Sequence, residues 1–338
     1  MDKSKPILVT GATGYIAGWI IERLLNQGYN VHATVRDPSK KNKIQHLYDL
    51  ADKSSGQIQF FKADLLESGS FDEAMQGCEI VIHTASPFVV TNYKDAVKDI
   101  IEPAVKGTEN VLDSVNRTES VKRVVLTSSI ASTYGDAVEI QNTGSETHQP
   151  YPYSKVAAER KAWEMAEQQN RWSLVCINPA LVMGPSLTDA SQSGSIEVLQ
   201  QFGNGTTLFG VPPMWNGIVD VRDVADAHVA AALNPKAQGR YIICGGTLSL
   251  LEMGQALTKK FGYRYPFPHF TVPKTAFSLV APIFGHSRQF VKLNMGYPIY
   301  FNSQRSVNEL GIQYHDIRES VCEHFQQLLD DGIVKKYI

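Results

Sequence analysis

Residues 5–18, Lys-Pro-Ile-Leu-Val-Thr-Gly-Ala-Thr-Gly-Tyr-Ile-Ala-Gly, lead from an apolar strand straight into spaced glycines and then into a helix. Ile7, Leu8 and Val9 make a continuous apolar run rather than an alternating one, as a parallel strand buried on both faces requires. Ile16, Ile20 and Leu24 recur at helical spacing, and Gly28 follows as a C-terminal cap. Between strand and helix, Gly11 and Gly14 let the chain turn sharply and let a pyrophosphate approach the main chain. The free N–H groups and positive end of the helix then bind it. A glycine pair alone marks only a turn, but strand, glycines and helix in this register point to a bound dinucleotide.

The same alternation continues along the chain. Strands are expected near 6–10, 30–35, 57–63, 79–84, 122–127 and 172–178, separated by helices near 14–27, 40–50, 70–76, 95–117 and 152–168. Strands and helices alternating across short turns imply right-handed crossovers and a parallel sheet covered on both faces, a doubly wound α/β fold of the Rossmann type. After Pro179 the pattern breaks, and Gly, Pro and Ser accumulate through 184–217. Ile218–Val224 then reads as a strand entering a helix, and Arg240–Cys244 as another strand. The expected division is a nucleotide domain of residues 1–185 and 218–245 and a smaller, discontinuous substrate lobe of 186–217 and 246–338.

Composition limits the function classes. With 32 Lys plus Arg against 34 Asp plus Glu, the net charge of -2 gives no basic excess for nucleic acid. No apolar run is long enough to span a bilayer, and no apolar leader precedes the first strand, so the expected location is the cytoplasm. Cys78, Cys176, Cys244 and Cys322 lie far apart, without metal-ligand spacing, and are read as small core residues. No metal is expected. The partner is a small molecule, and the chain acts as a monomer or homodimer.

Ligands of doubly wound sheets lie beyond the carboxyl ends of the strands. The second strand ends in Arg36-Asp37, followed by Lys40, Lys41 and Lys43. A guanidinium there grips the 2'-phosphate of NADP with paired hydrogen bonds, and the lysines add charge. The reading is NADPH/NADP rather than NAD, with Asp37 as a helix cap or, in the opposite reading, a ribose ligand selecting NAD. Asp64, after the third strand, is a candidate for the adenine edge or a helix cap.

Thr127-Ser128-Ser129 closes the fifth strand, and Tyr151-Pro152-Tyr153-Ser154-Lys155 opens the following helix. Tyr151 and Lys155, four apart, share a helical face, and the cation is expected to lower the phenol's pKa toward neutrality. Hydride transfer to a carbonyl develops negative charge on its oxygen, which needs a proton donor and a hydrogen bond. Tyr151 supplies the proton, Ser129 the hydrogen bond, and Lys155 also reaches the nicotinamide ribose. Tyr153, two residues before Lys155, faces elsewhere and packs.

On these residues the chain resembles the extended short-chain dehydrogenases/reductases, and within them the dihydroflavonol reductase, cinnamoyl-CoA reductase and yeast methylglyoxal reductase group. Further matching segments are His83–Phe88, Pro103–Thr108, Asn178–Val182 and Val219–Ala225. The resemblance implies that Ser129, Tyr151 and Lys155 form a catalytic triad. It implies a cofactor held by Thr10, Gly11, Thr13, Gly14, Tyr15 and Ile16, with Arg36 and Lys43 on the 2'-phosphate and Asp64 and Leu65 at the adenine. Thr84, Ala85, Ser86 and Thr127 would line its channel, and Pro179, Leu181 and Val182 the nicotinamide side. Ala17 replaces the third glycine of the family pattern. Tyr134 stands where flavonoid-reducing members carry asparagine, and the 151–155 segment lacks the Asn-Trp-Tyr-Cys pattern of cinnamoyl-CoA reductases. The expected substrate is therefore an aldehyde, ketone or dicarbonyl, with Phe88, Tyr134, Met183 and Met214 as candidate pocket walls, while His148 is read as an exposed polar residue of the loop before the catalytic helix. Two other readings stay open: a nucleotide-sugar epimerase or dehydratase retaining NAD, and a catalytically silent NADPH sensor.

Overall fold

Seven runs of apolar or β-branched residues pair as parallel strands, because only a fully paired sheet satisfies backbone polar groups buried between two layers of helices. The computed structural model describes residues 2–86, 94–138, 149–187 and 194–335. The strands are β1 (Ile7–Thr10), β2 (Asn30–Val35), β3 (Gln57–Lys62), β4 (Ile80–His83), β5 (Arg123–Thr127) and β6 (Ser173–Pro179), followed by β7 (Leu181–Met183), β8 (Trp215–Asp220), β9 (Gly239–Ile243) and β10 (Gly246–Ser249). The main sheet has the order β3-β2-β1-β4-β5-β6-β9. Chain order reverses between β1 and β4, whose residues Ile7–Thr10 and Ile80–His83 pair in register, and the crevice beyond this junction is where such sheets take a ligand.

The helices are α1 (Tyr15–Asn26), α2 (Lys41–Asp52), α3 (Asp72–Met75), α4 (Glu102–Arg117), α5 (Pro150–Glu167) and α6 (Gly194–Gly203), then α7 (Val221–Leu233), α8 (Leu250–Phe261), α9 (Lys274–Val280), α10 (Arg288–Asn294), α11 (Gln304–Leu310) and α12 (Ile317–Asp330). Ile20, Ile21, Leu24 and Leu25 of α1, Ile44 and Leu47 of α2 and the alanines of α7 pack on one face of the sheet. Val111, Leu112 and Val115 of α4 and Ala162 of α5 pack on the other. Pro150 and Pro152 fall in the first turn of α5, where a missing N–H is harmless.

The expected doubly wound fold is found, with every strand and helix read from the first 178 residues present. The 95–117 segment is divided into a π-helical turn, Val97–Ile101, and α4. Past Pro179 the chain leaves the main sheet after a single residue: β7 pairs in parallel with β8, which pairs antiparallel with β10. The boundary expected at 218 thus falls inside β8, a strand of this smaller sheet. Met183, Leu199, Phe202, Ile218, Leu257 and Phe325 form the core on that sheet, while Leu310 and Ile312 return to the core of the main one.

Candidate active site

The turn after β1 is fixed by its neighbour. Gly11 has φ +68°, and a Cβ there would lie 3.0 Å from the Ala85 Cα, so glycine is required on both counts. Thr10 Oγ1 accepts from the backbone N–H groups of Thr84 and Ala85, each at 3.1 Å, while Thr84 Oγ1 donates to the Thr10 carbonyl at 2.5 Å. With two donors already on Thr10 Oγ1, its own proton goes to His83 Nδ1 at 2.9 Å. His83 is thereby neutral, and burial pushes its pKa down to about 3, with the charge of Lys155 adding to the shift.

Beyond this turn α1 begins at Gly14 with no side-chain cap and no acidic residue in its first turn, and Thr13 and Gly14 are exposed. That donor set suits an anion. Ile16 is half-buried against the core of the main sheet. The Tyr15 hydroxyl donates to the Gly184 carbonyl at 2.5 Å and its ring lies 5.7 Å from that of His324. Ala17, in the third glycine's place, is wholly buried beneath the turn.

Arg36 and Lys43 are exposed at the end of β2 and the start of α2. Asp37 is already engaged: its Oδ1 accepts from Ser39 Oγ at 2.6 Å and Ser39 N at 3.0 Å, and its other oxygen lies 3.6 Å from Lys40 Nζ. Those hydrogen bonds hold its carboxyl below the usual range. Asp64 caps its own turn, accepting from Leu66 N at 2.9 Å. Leu65 packs on Gly107 and lines a shallow recess with His83, Ala85, Ser86, Thr127 and Lys155. The Thr127 hydroxyl donates to His228 Nε2 at 2.7 Å, because His228 Nδ1 is committed to the Val224 carbonyl.

Ser129, Tyr151 and Lys155 meet at the carboxyl edge of the sheet, Ser129 just past β5 and the other two on the first turns of α5. Ser129 Oγ accepts from Ala131 N at 3.1 Å and is hydrogen-bonded to Tyr151. Lys155 Nζ donates to Ser86 Oγ at 2.9 Å and stands 5.7 Å from the centre of the Tyr151 ring. The expected lowering of the phenol is not what the free site shows. Burial pushes Tyr151 up to about 12, the bond from Ser129 offsetting only part, and burial brings Lys155 down to about 8. Desolvation of the buried phenol outweighs the hydrogen bond that favours its ionised form.

Of the candidate pocket walls, Tyr134 sets its ring edge-on to Phe301 at 5.3 Å, and Met214 packs on the Phe277–Met295 cluster. Met183 is 0% exposed and belongs to the core of the small sheet, so it offers no pocket surface. Pro179 is buried at the end of β6, and Leu181 and Val182 are half-buried in β7. Phe88 and His148 lie outside the described residues. Sequence reasoning passed over Glu159, which is buried beneath Ser129 among hydroxyl and amide donors. Its only signal was spacing, four residues after Lys155.

Comparison with known proteins agrees with this architecture. The NAD dependent epimerase/dehydratase family matches residues 7–245. The chain is 36% identical over 335 residues to cinnamoyl-CoA reductase CAD2 of Medicago truncatula, covering 95% of each. It is 33% identical over 348 residues to tetraketide alpha-pyrone reductase 1 of Arabidopsis thaliana, covering 98% of each. The crystal structure of Gre2 from Candida albicans in complex with NADPH superposes with a TM-score of 0.74 at 26% identity, over 97% of this chain and 99% of that one.

Proposed function

The chain belongs to the NAD dependent epimerase/dehydratase family, as an extended short-chain dehydrogenase/reductase, and we propose that it reduces an aldehyde or ketone, dicarbonyls included, to an alcohol with NADPH. The observation that carries this reading is the meeting of Ser129, Tyr151 and Lys155 beside the β1/β4 crevice. The residues present fit the cofactor: the uncapped start of α1 suits its pyrophosphate, and exposed Arg36 and Lys43 suit a 2'-phosphate. Bound NADPH supplies the hydride. Tyr151 gives its proton to the carbonyl oxygen, Ser129 donates a hydrogen bond to that oxygen as charge gathers on it, and the Lys155 ammonium holds the tyrosinate left behind.

The reductase names of relatives spanning nearly the whole chain support reduction over epimerisation. Asp37 offers weaker support, one of its carboxylate oxygens being taken up by Ser39. The free, buried state of all four cysteines fits the reducing cytoplasm proposed as its location. The test is oxidation of NADPH, and separately of NADH, against aliphatic aldehydes, aryl aldehydes, diketones and ketoesters. Turnover with NADPH that Tyr151→Phe lowers about 100-fold or more, with NADPH affinity retained, is the expected result. Tightly held, unexchanged NAD after purification would overturn it in favour of an epimerase, and a flat response with every carbonyl would leave a sensor.

A further inference from the structure

Glu159 follows Lys155 by four residues and Tyr151 by eight, so the three form one stripe along α5. It is 1% exposed, unlike Glu164 and Glu167 on the same helix, and the proton and hydride steps above make no use of it. Its surroundings are built of donors. Oε2 lies 2.5 Å from Ser128 Oγ, 2.6 Å from Ser132 Oγ and 3.0 Å from Asn178 Nδ2. Oε1 accepts from Trp163 Nε1 at 3.3 Å and from the Arg240 guanidinium. An ionised carboxylate is the acceptor-only group this arrangement needs.

The donors lead to one peptide. Asn178 Nδ2, with two protons, reaches both Oε2 and the Ser129 carbonyl oxygen, the latter at 3.1 Å, while Ser132 Oγ, 2.7 Å from that carbonyl, has one proton to share between it and Oε2. Ser129 itself is extended, at φ -157° and ψ 154°, and its Oγ is already an acceptor for Ala131 N–H, so its own proton is the one shared with Tyr151. We propose that Glu159 is a positioning residue: by gathering Ser128, Ser132 and Asn178 it fixes the Ser129 peptide and so aims the Ser129 hydroxyl at Tyr151 and the reacting oxygen. This role rests on the reductase reading.

Arg240 provides the control, because its side chain is 47% exposed and it touches only the outer carboxylate oxygen. Glu159→Gln keeps the shape but places an amide donor among donors. It is expected to lower kcat about 10- to 100-fold while KM and the NADPH Kd, read by fluorescence titration, stay within about twofold. Arg240→Gln, which removes the ion pair and leaves the Ser129 side intact, should keep kcat within about threefold. Wild-type kcat in Glu159→Gln, or equal losses in both variants with matching falls in Tm, would overturn the role. Should Glu159→Gln not fold, Ser132→Ala decides: it leaves the ion pair in place, so the same kcat loss supports the role and wild-type kcat overturns it. Absence of carbonyl turnover in the wild type overturns the reductase reading and this role together, whereas wild-type turnover beside an unimpaired Glu159→Gln overturns the role alone.

Discussion

Tyr151 and Lys155 carry opposite shifts, and together they set a pH window. With the phenol raised to about 12 and the ammonium lowered to about 8, both are protonated at neutral pH, which is the state reduction needs. Above about 8, Lys155 loses its charge, and kcat/KM for reduction is expected to fall by about tenfold per pH unit. A profile flat to pH 10 would contradict this. Stability runs the other way. The folded pKa of Lys155 lies below its ordinary 10.5, so between those values the unfolded chain binds more protons and stability rises with pH. The cost of burying the ammonium is therefore fully present below pH 8 and gone by 10.5. Denaturant titrations should show the cofactor-free wild type gaining on Lys155→Met across that window. Gly11 sets a different limit at the same scale. Gly11→Ala forces both a left-handed alanine and a 3.0 Å approach to Ala85, and is expected to destabilise the fold by about 1–3 kcal/mol and weaken NADPH binding. Thermal melts and a binding titration measure both.

The end of β2 and the start of α2 form one electrostatic element, with Arg36, Lys40, Lys41 and Lys43 all exposed there. Arg36 stands directly after the strand, and Asp37 is tied to Ser39. Arg36→Ala should raise the KM for NADPH about 10- to 100-fold, as loss of a charge-assisted pair implies, and leave NADH kinetics nearly unchanged. Equal effects on the two cofactors would place the 2'-phosphate elsewhere. Elements of this kind were legible because strand-end chemistry is local: a guanidinium after an apolar run needs no knowledge of the rest of the chain. The strands of the main sheet were legible for the same reason, since burial on both faces leaves a continuous apolar run, as at Ile7–Val9 and Val124–Leu126. β7 was not legible. It is three residues long and follows β6 after Ala180 alone, so its apolar Leu181–Met183 reads as the tail of the preceding strand. Glu159 was hidden for the converse reason: apart from Trp163 on its own helix, its partners come from residues 128, 132, 178 and 240, and no spacing within α5 reports those.

Across the molecule, the cradle and the small sheet are joined at several places by bonds that sequence separation conceals. Tyr15 donates to the Gly184 carbonyl, and Trp19 Nε1 donates to the Pro185 carbonyl at 2.8 Å, so α1 holds the segment leaving β7. Arg222, at the start of α7, bridges Asp220 and Glu323 of α12 at 2.8 and 2.6 Å, and Gln327 of the same helix exchanges hydrogen bonds with the Ser186 backbone. α7 in turn lies on the main sheet, and β9 returns there before the chain passes through β10 into α8. A ligand seated on α1 therefore acts on a body whose two sheets share load. NADPH at about 100 times its Kd adds about 2.7 kcal/mol to the folded state, and that gain should raise a single melting transition. The probes for this are already in place: Trp19 sits on α1 and Trp215 in β8, so fluorescence reports both sheets while far-UV dichroism reports the whole. Coincident melts, displaced together by NADPH, are expected. If the two signals separate and NADPH moves only one, the contacts at Gly184, Pro185 and Ser186 do not couple the sheets, and the small sheet unfolds on its own.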